Sequence, residues 1–149
     1  MAIEYRLILA GSTPVEQVAE RALPEPDERP TGTAPLLAAD LYDRYGFEVA
    51  IRAGQNGYFG VESENGMWEW APTTYVAVTF RMKKNTDPEP GLLNLLTVVR
   101  RVLESGPEDA ALILNDNWLL FTRFGGALVK HRRDAWWNHY AGANEALPG

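Results

Sequence analysis

The chain has 149 residues, of which 46% are hydrophobic and 23% charged, a composition typical of one globular domain. It contains no cysteine, which excludes disulfides, thiolate metal sites and cysteine nucleophiles and fits a reducing compartment. The net charge of −6 is uneven, because residues 1–70 carry 12 acidic and 5 basic side chains whereas residues 71–149 carry 8 and 9. An acidic first half argues against nucleic-acid binding and favours a basic partner, although acidic surfaces also serve solubility alone.

The opening segment, MAIEYRLILA, predicts a strand, because its apolar residues alternate with Glu4 and Arg6. These two charges also break the apolar run that a secretory signal requires, and no stretch approaches the ~20 apolar residues of a membrane span. We therefore expect a cytoplasmic protein with no membrane partner. A helix is predicted next in STPVEQVAERAL, with Thr13 as its N-cap and Glu16 completing a capping box, before Pro24 ends it.

A proline-rich segment follows the first helix. Residues 24–35, PEPDERPTGTAP, contain four prolines and no large apolar side chain, so we expect an exposed loop that buries nothing. This loop is too short to be a linker between domains. In the next segment, LLAADLYDRYG, Leu37, Leu41 and Tyr45 recur every four residues, which indicates a short helix that ends before Gly46.

The middle of the chain changes to the two-residue alternation of strands. Asn56-Gly57 and Asn65-Gly66 are strong hairpin signals, since mirror-image turns need positive φ at both central residues. Each pair should therefore join its flanking strands in an antiparallel meander. The predicted strands cover residues 47–53, 58–63, 67–70 and 73–83.

The last third predicts a second helix and three short strands. The helix lies in NTDPEPGLLNLLTVVRRVLESG, where six apolar residues between Leu92 and Leu103 follow helical spacing. The strands lie in ALILNDNWLLFTRFGGALVKH, and a flexible tail is expected over 141–149. The order of elements predicts an α+β fold with a mainly antiparallel sheet and two principal helices packed on one face. We expect a single two-layer domain over residues 1–149.

No pattern in the chain predicts a catalytic site. The two histidines, His131 and His139, lack an acidic ligand at a useful spacing, whereas a metal site needs three or four ligands. None of the three serines lies in a nucleophile elbow. Glu62 and Glu64 share one face of a predicted strand, but the adjacent turn should keep both carboxylates solvated and ionised. We therefore expect no enzymatic activity, no metal and no cofactor.

The segment GMWEWAP, residues 66–72, allows two interpretations. In a strand, Trp68 and Trp70 point to one side, and Met67 and Glu69 point to the other. The tryptophans belong to the core if this strand covers another element. They belong to an interface if the hairpin projects, because tryptophan is enriched at interface hot spots. The sequence favours the core interpretation and leaves the interface open.

A second pair of tryptophans occurs near the C-terminus. Trp136 and Trp137 are adjacent, so in a regular element they cannot both face one core. We expect that at least one is partly exposed or covered by the tail, and we interpret the pair as a C-terminal packing anchor. Arg132 and Arg133 are close enough in sequence to stack on these rings.

Five segments of the chain form a recognisable set: MAIEYRLILAGSTPVEQVAE, GFEVAIR, TYVAVTFRMKK, LLNLLTVVRRVLE and ALILNDNWLLFTRFGGALV. Together they resemble the Sit-type immunity proteins of bacteria, the cytoplasmic partners of swarming-inhibition toxins. The resemblance spans most of the chain, from residue 1 to about residue 137, and implies neutralisation of a cognate toxin by binding, without catalytic residues.

Three hypotheses follow. The first is an immunity protein that binds a basic toxin through the acidic, aromatic hairpin. The second is an enzyme or ligand-binding protein with a cryptic pocket, for example between the sheet and the second helix. The third is a self-associating module that pairs two copies through an edge strand over 127–131. The interface residues expected under the first hypothesis are Glu62, Glu64, Trp68, Glu69 and Trp70.

Overall fold

The structure, a computed structural model, describes residues 3–149 as a mixed fold with one large, mostly antiparallel sheet and few helices. Met1 and Ala2, which the predicted domain includes, lie outside the described residues. The α-helices are α1 (Val15–Ala22), α2 (Tyr42–Tyr45), α3 (Pro88–Glu104) and α4 (Ala143–Ala146). The strands are β1 (Glu4–Ala10), β2 (Thr31–Thr33), β3 (Leu36–Leu41), β4 (Phe47–Gln55), β5 (Phe59–Ser63), β6 (Gly66–Trp70), β7 (Thr74–Met82), β8 (Ala110–Leu114), β9 (Trp118–Phe124) and β10 (Ala127–Lys130).

The sheet follows the order β2-β3-β4-β7-β1-β8-β9-β5-β6, and β10 pairs with β9 beside this path. All pairings in the described residues are antiparallel except one, a parallel contact between β5 and β9 where Glu62 faces Trp118. The hairpin β5–β6 is therefore attached to the rest of the sheet by a short parallel contact, at the far end from β2.

The main apolar core lies on the face of the sheet to which α1 and α3 contribute. Leu7 and Leu9 of β1 belong to it together with Val18 of α1 and Leu95 and Val99 of α3. All five side chains are almost completely removed from water. Burying a leucine or valine of this kind stabilises the fold by about 1.5–3 kcal/mol, so this cluster holds most of the hydrophobic stabilisation.

A second, smaller apolar cluster lies on the opposite face of the same sheet. The predicted two-layer arrangement did not include this second cluster. Ile8 points to this face because adjacent strand residues alternate, and Ala111 and Ile113 of β8 join it. Trp68 and Trp70 of β6 pack against this cluster and are only half-buried. The hairpin β5–β6 therefore covers part of the face that the long helices leave uncovered.

The predicted meander is wrong at its first turn and at its last connection, because among the described strands β6 pairs with β5 and not with β7. β4 does not pair with β5, but with β3 and β7, and the Gly57 N–H donates to the Pro72 carbonyl at 3.0 Å. The second hairpin is confirmed, although Ser63 opposes Gly66, so that Glu64 and Asn65 are the central turn residues. Asn-Gly thus marks a turn in both places, but the pairing partner depends on contacts that are distant in sequence.

The helix predicted in LLAADLYDRYG is largely a strand. Leu37 and Leu41 are both buried within β3, and only the last turn, α2, is helical before Gly46 adopts a left-handed φ of 86°. A spacing of four residues fits the period of a helix and twice the period of a strand. The pairing of β3 with β4 decides between them.

The proline-rich segment 24–35, which was predicted to be an exposed loop that buries nothing, contains regular structure and a buried side chain. It contains a short 3-10 helix, Pro26–Glu28, and strand β2. The side chain of Glu28 is buried, and its carboxylate accepts a hydrogen bond from the Tyr45 hydroxyl at 2.6 Å and lies 2.7 Å from Arg44 Nε. These polar partners allow a carboxylate to be buried in a segment that has no large apolar side chain.

The C-terminal segment also differs from the expected flexible tail over 141–149. Helix α4 lies within it, and Ala143 and Leu147 belong to the main core. Trp136 and Trp137 are both buried, in a π-helical turn that spans Arg133–Trp137. Neither ring is partly exposed, whereas the packing-anchor interpretation agrees with the membership of both rings in the main core.

A buried ionic network fixes the start of α1 and the loop after α3. Arg21 donates two hydrogen bonds to the Glu108 carboxylate, at 2.6 and 2.8 Å, and Thr13 Oγ1 donates a third at 2.9 Å. The prediction that Thr13 is the N-cap of α1 is wrong. Pro14 occupies the N-cap position, and no side chain caps the helix there. The pKa of Glu108 is lowered to about 2, mainly because its carboxylate accepts hydrogen bonds from Arg21.

Candidate functional site

The candidate site is the β5–β6 hairpin together with the strand ends next to it. Its register places Glu62 opposite Met67 and Gly60 opposite Glu69. Because neighbouring residues alternate between faces, these four residues share the outer face of the hairpin. The outer face is accessible, since Met67 is 68% exposed and both carboxylates are exposed.

A shallow depression of about 300 Å³ lies between the outer face of the hairpin and the start of β9. Glu62 and Met67 line it from the hairpin, and Asn117 and Trp118 line it from the other side. Trp118 is 38% exposed, so an indole ring and a thioether flank a solvent-accessible carboxylate. This combination suits a long cationic side chain, whose stem is apolar and whose end is charged.

Glu64 lies in the turn after β5, so the prediction that Glu62 and Glu64 share one strand face is wrong. Its Oε2 accepts a hydrogen bond from the backbone N–H of Arg132 at 3.3 Å, and its Oε1 lies 3.7 Å from His131 Nδ1. The Arg132 guanidinium in turn lies 4.2 Å from the centroid of the Trp118 ring. Glu64 thus connects the tip of the hairpin to the segment that follows β10.

Trp68 and Trp70 form an aromatic cluster on the inner face of the hairpin. Their ring centroids are 5.9 Å apart, and Phe124 of β9 lies 6.4 Å from Trp68 and 5.3 Å from Trp70. Phe59 continues the cluster towards Tyr75 of β7. The core interpretation therefore describes their packing, while their partial exposure leaves an aromatic border beside the acidic face.

The structure thus separates the five predicted interface residues into three groups. Glu62 and Glu69 lie on the outer face, the two tryptophans lie on the inner face, and Glu64 lies at the tip. Sequence reasoning missed Trp118 and the contribution of Met67. Trp118 directly follows the predicted NDN turn, but its neighbour Glu62 is 56 positions away, so no local pattern indicated that the two lie together.

The two histidines and two of the three serines considered in the sequence analysis contact other residues of the chain. His131 lies beside Glu64, whereas the His139 ring contacts Tyr140 with centroids 5.0 Å apart. Ser63 Oγ donates to the Gly66 carbonyl within the hairpin turn, and Ser105 Oγ donates to the Arg101 carbonyl at the end of α3. Within residues 3–149, no group of three or more histidine, aspartate or glutamate side chains is placed to hold a metal ion.

Comparison with known protein families identifies the family to which the chain belongs. The SitI3-like family matches residues 3–141, which is nearly the whole described chain. The chain is a member of the SitI3-like family. This confirms the resemblance to Sit-type immunity proteins. Neither the curated proteins nor the solved structures contain a match to the chain.

For this SitI3-like chain, the candidate site is a surface and not an enclosed cavity. The hairpin offers exposed carboxylates, a methionine and accessible aromatic edges, which are side chains of the kind found in protein–protein interfaces. In the described part of the chain, no helix has the length and apolar character needed to cross a membrane.

Proposed function

We propose that this protein is a non-enzymatic immunity protein that binds and neutralises a cognate bacterial toxin in the cytoplasm. The observation that carries the proposal is its membership of the SitI3-like family over residues 3–141. The contact residues proposed are those of the hairpin: Glu62, Glu64, Trp68, Glu69 and Trp70.

The five residues contribute in different ways. Glu62 and Glu69 meet basic groups of the toxin directly, because both are exposed on the outer face. The half-buried Trp68 and Trp70 stiffen the hairpin and contact the toxin at their edges. Glu64 holds the tip of the hairpin against Arg132. A rigid charged surface recognises one partner among many at low entropic cost.

The depression beside Glu62 is the proposed centre of the contact. An arginine or lysine of the toxin inserts between Met67 and Trp118, so that its stem lies on apolar atoms and its charge lies at Glu62. Charge pairs at the centre of an interface are more strongly desolvated than pairs at its rim and contribute more to affinity. The toxin is therefore expected to be basic at the surface that this protein covers.

The proposal is tested first by finding the toxin. Products of genes next to this one are expressed singly and together with this protein, and growth and co-purification are measured. We expect that one of them stops growth alone, is tolerated in the presence of this protein and co-purifies with it. If none is both toxic and neutralised, the proposed function is wrong.

The proposed surface is then tested by charge reversal. The double variant Glu62→Lys, Glu69→Lys should weaken toxin binding at least tenfold in calorimetry at low salt, because it replaces attraction by repulsion. The matched control is Glu20→Lys, an exposed carboxylate on α1. If both proteins bind the toxin as tightly as the wild type does, the hairpin is not the interface, although the immunity function stands.

A self-associating module is the second candidate, and the structure offers one feature that favours it. β10 pairs on one side with β9, and Val129 in it is 51% exposed. An open edge strand of this kind can pair with a second copy. Light scattering over a hundredfold range of concentration should then detect a dimer that Val129→Lys disrupts. A monomer at all concentrations rejects this candidate.

A further inference from the structure

A cavity of about 380 Å³ lies between the sheet and α3, apart from the candidate site. Tyr5 of β1 and Met82 of β7 line its sheet side, and Pro88 and Leu92 line its helix side. Tyr140, which precedes α4, completes the wall. The volume falls in the range of small-molecule sites, and the walls are mainly apolar and aromatic, as such sites usually are.

The rim of the cavity is basic, in contrast to the net charge of −6. Lys83 and Lys84 line it together with Asn85 and Thr86. The Lys83 ammonium lies 3.9 Å from Asp43, whereas Lys84 forms no ion pair within residues 3–149. A second, more open cavity shares Lys83 and Lys84 and adds Arg81. The rim therefore offers cationic and amide groups to an anion, next to an apolar interior.

Two tyrosines line the cavity, and the Trp136 ring packs against both of them. Tyr5 is almost completely buried, and burial raises the pKa of its hydroxyl well above the ordinary range, so that it remains a hydrogen-bond donor. Its ring lies edge-on to Trp136 at 6.0 Å, and Tyr140 lies 5.4 Å from the same indole. These aromatic contacts hold the Tyr5 and Tyr140 rings in the wall of the cavity.

We propose that the cavity between β1, β7 and α3 binds a small carboxylic acid with an aromatic body. The body lies among Tyr5, Met82, Leu92 and Tyr140, and the carboxylate lies at the rim beside Lys84. The apolar walls select the body, and the cationic rim selects its charge. The second hypothesis from the sequence placed a pocket between the sheet and this helix, but none of its titratable candidates, Glu62, Glu64 and the histidines, lines this cavity.

The test uses 3-phenylpropionate as the probe and the ¹H–¹⁵N spectrum of the full chain as the readout. We expect saturable shifts at residues 83–92 and at the indole N–H of Trp136, with a dissociation constant of roughly millimolar for so small a ligand. Two control compounds separate the two parts of the proposal. 3-Phenylpropylamine has the body with the opposite charge, and inorganic phosphate has the charge without the body.

The outcomes are distinct from those for toxin binding. Lys84→Glu should weaken binding of 3-phenylpropionate at least fivefold, whereas Arg52→Glu, an equal charge change at an exposed position of β4, should not. No saturable shift, equal binding of the amine, equal binding of phosphate, or an unchanged Lys84→Glu variant would each overturn the proposal. Native-like spectra of both variants establish that they are folded.

Discussion

The two faces of the sheet use tryptophan in opposite ways. On the helix side, Trp137 is completely buried, its indole N–H donates to the Leu120 carbonyl at 2.9 Å, and the Lys130 ammonium lies 4.4 Å from its ring. On the hairpin side, Trp68 and Trp70 are half-buried and contact other rings that are themselves partly exposed. The same residue type thus closes a core on one face and borders an accessible surface on the other.

The difference shows how this fold divides stability from recognition. The helix side combines the main core with the buried Arg21–Glu108 pair, so its side chains are held by many neighbours. The hairpin joins the sheet by one short parallel contact, by Glu64 at its tip and by the half-buried Trp68 and Trp70. Substitutions on the helix side should therefore change the free energy of unfolding, and those on the hairpin should change binding more than folding.

The largest expected effect comes from the buried tryptophan. Trp137→Ala should lower the free energy of unfolding by about 3–5 kcal/mol, because it removes a fully buried ring and leaves a cavity. Trp70→Ala is the matched variant on the hairpin side and should cost only about 1–2 kcal/mol, since its ring is half-exposed already. Urea denaturation of the two variants measures both values. Equal losses would contradict the division between the faces.

The next effect is a loss of stability in acid that originates on the helix side. The hydrogen bonds from Arg21 lower the pKa of Glu108 from 4.5 to about 2, and the carboxylate is only 9% exposed. The folded state binds its proton less readily than the unfolded state, so this group stabilises the fold fully above pH 4.5. That contribution, about 3 kcal/mol, should disappear as the pH falls from 4.5 to 2.

The variant that isolates this acid effect is Glu108→Gln. It should reduce stability at pH 7 and flatten the dependence of stability on pH between 4.5 and 2, as measured by urea denaturation across that range. Glu69→Gln, on the accessible hairpin, serves as the control and should retain the wild-type slope. A Glu108→Gln profile parallel to that of the wild type would show that another group causes the acid sensitivity.

The smallest expected effect concerns the attachment of the hairpin. Glu64→Gln should change the free energy of unfolding by less than about 1 kcal/mol, because the Glu64 side chain is 46% exposed and its contacts with His131 and Arg132 are long. Hydrogen exchange of the backbone amides in β5 and β6 should nevertheless become several times faster. Asp116→Asn removes another exposed ion pair, with Arg6, and should leave this exchange unchanged. Unchanged exchange in Glu64→Gln would mean that Glu64 does not hold the tip.

Local patterns predicted the elements better than their partners. The second helix and the last three strands were correct because each has a single period and clear turn residues around it. The first Asn-Gly pair was misread as a hairpin, since turn chemistry indicates a bend but does not specify which strands pair. The segment around Leu37 was ambiguous because a four-residue spacing fits two periods.

The candidate site was predictable in its chemistry but not in its arrangement. The alternation in β6 predicted that Trp68 and Trp70 share one side and that Met67 and Glu69 share the other, as the register and burial confirm. The sequence could not reveal that Trp118 lies opposite Glu62, because this parallel contact joins residues that are far apart in the chain.

The sequence by itself determined the acidic character of the chain, its mixture of helices and antiparallel strands, and its resemblance to immunity proteins. These properties depend on composition, on periodicity and on short segments, all of which are local. The tertiary structure alone decided that Trp136 and Trp137 are both buried, that the hairpin covers the second apolar cluster, and that a basic-rimmed cavity lies beside α3. Each of these features depends on elements that are distant in sequence and pack together on the same face of one sheet.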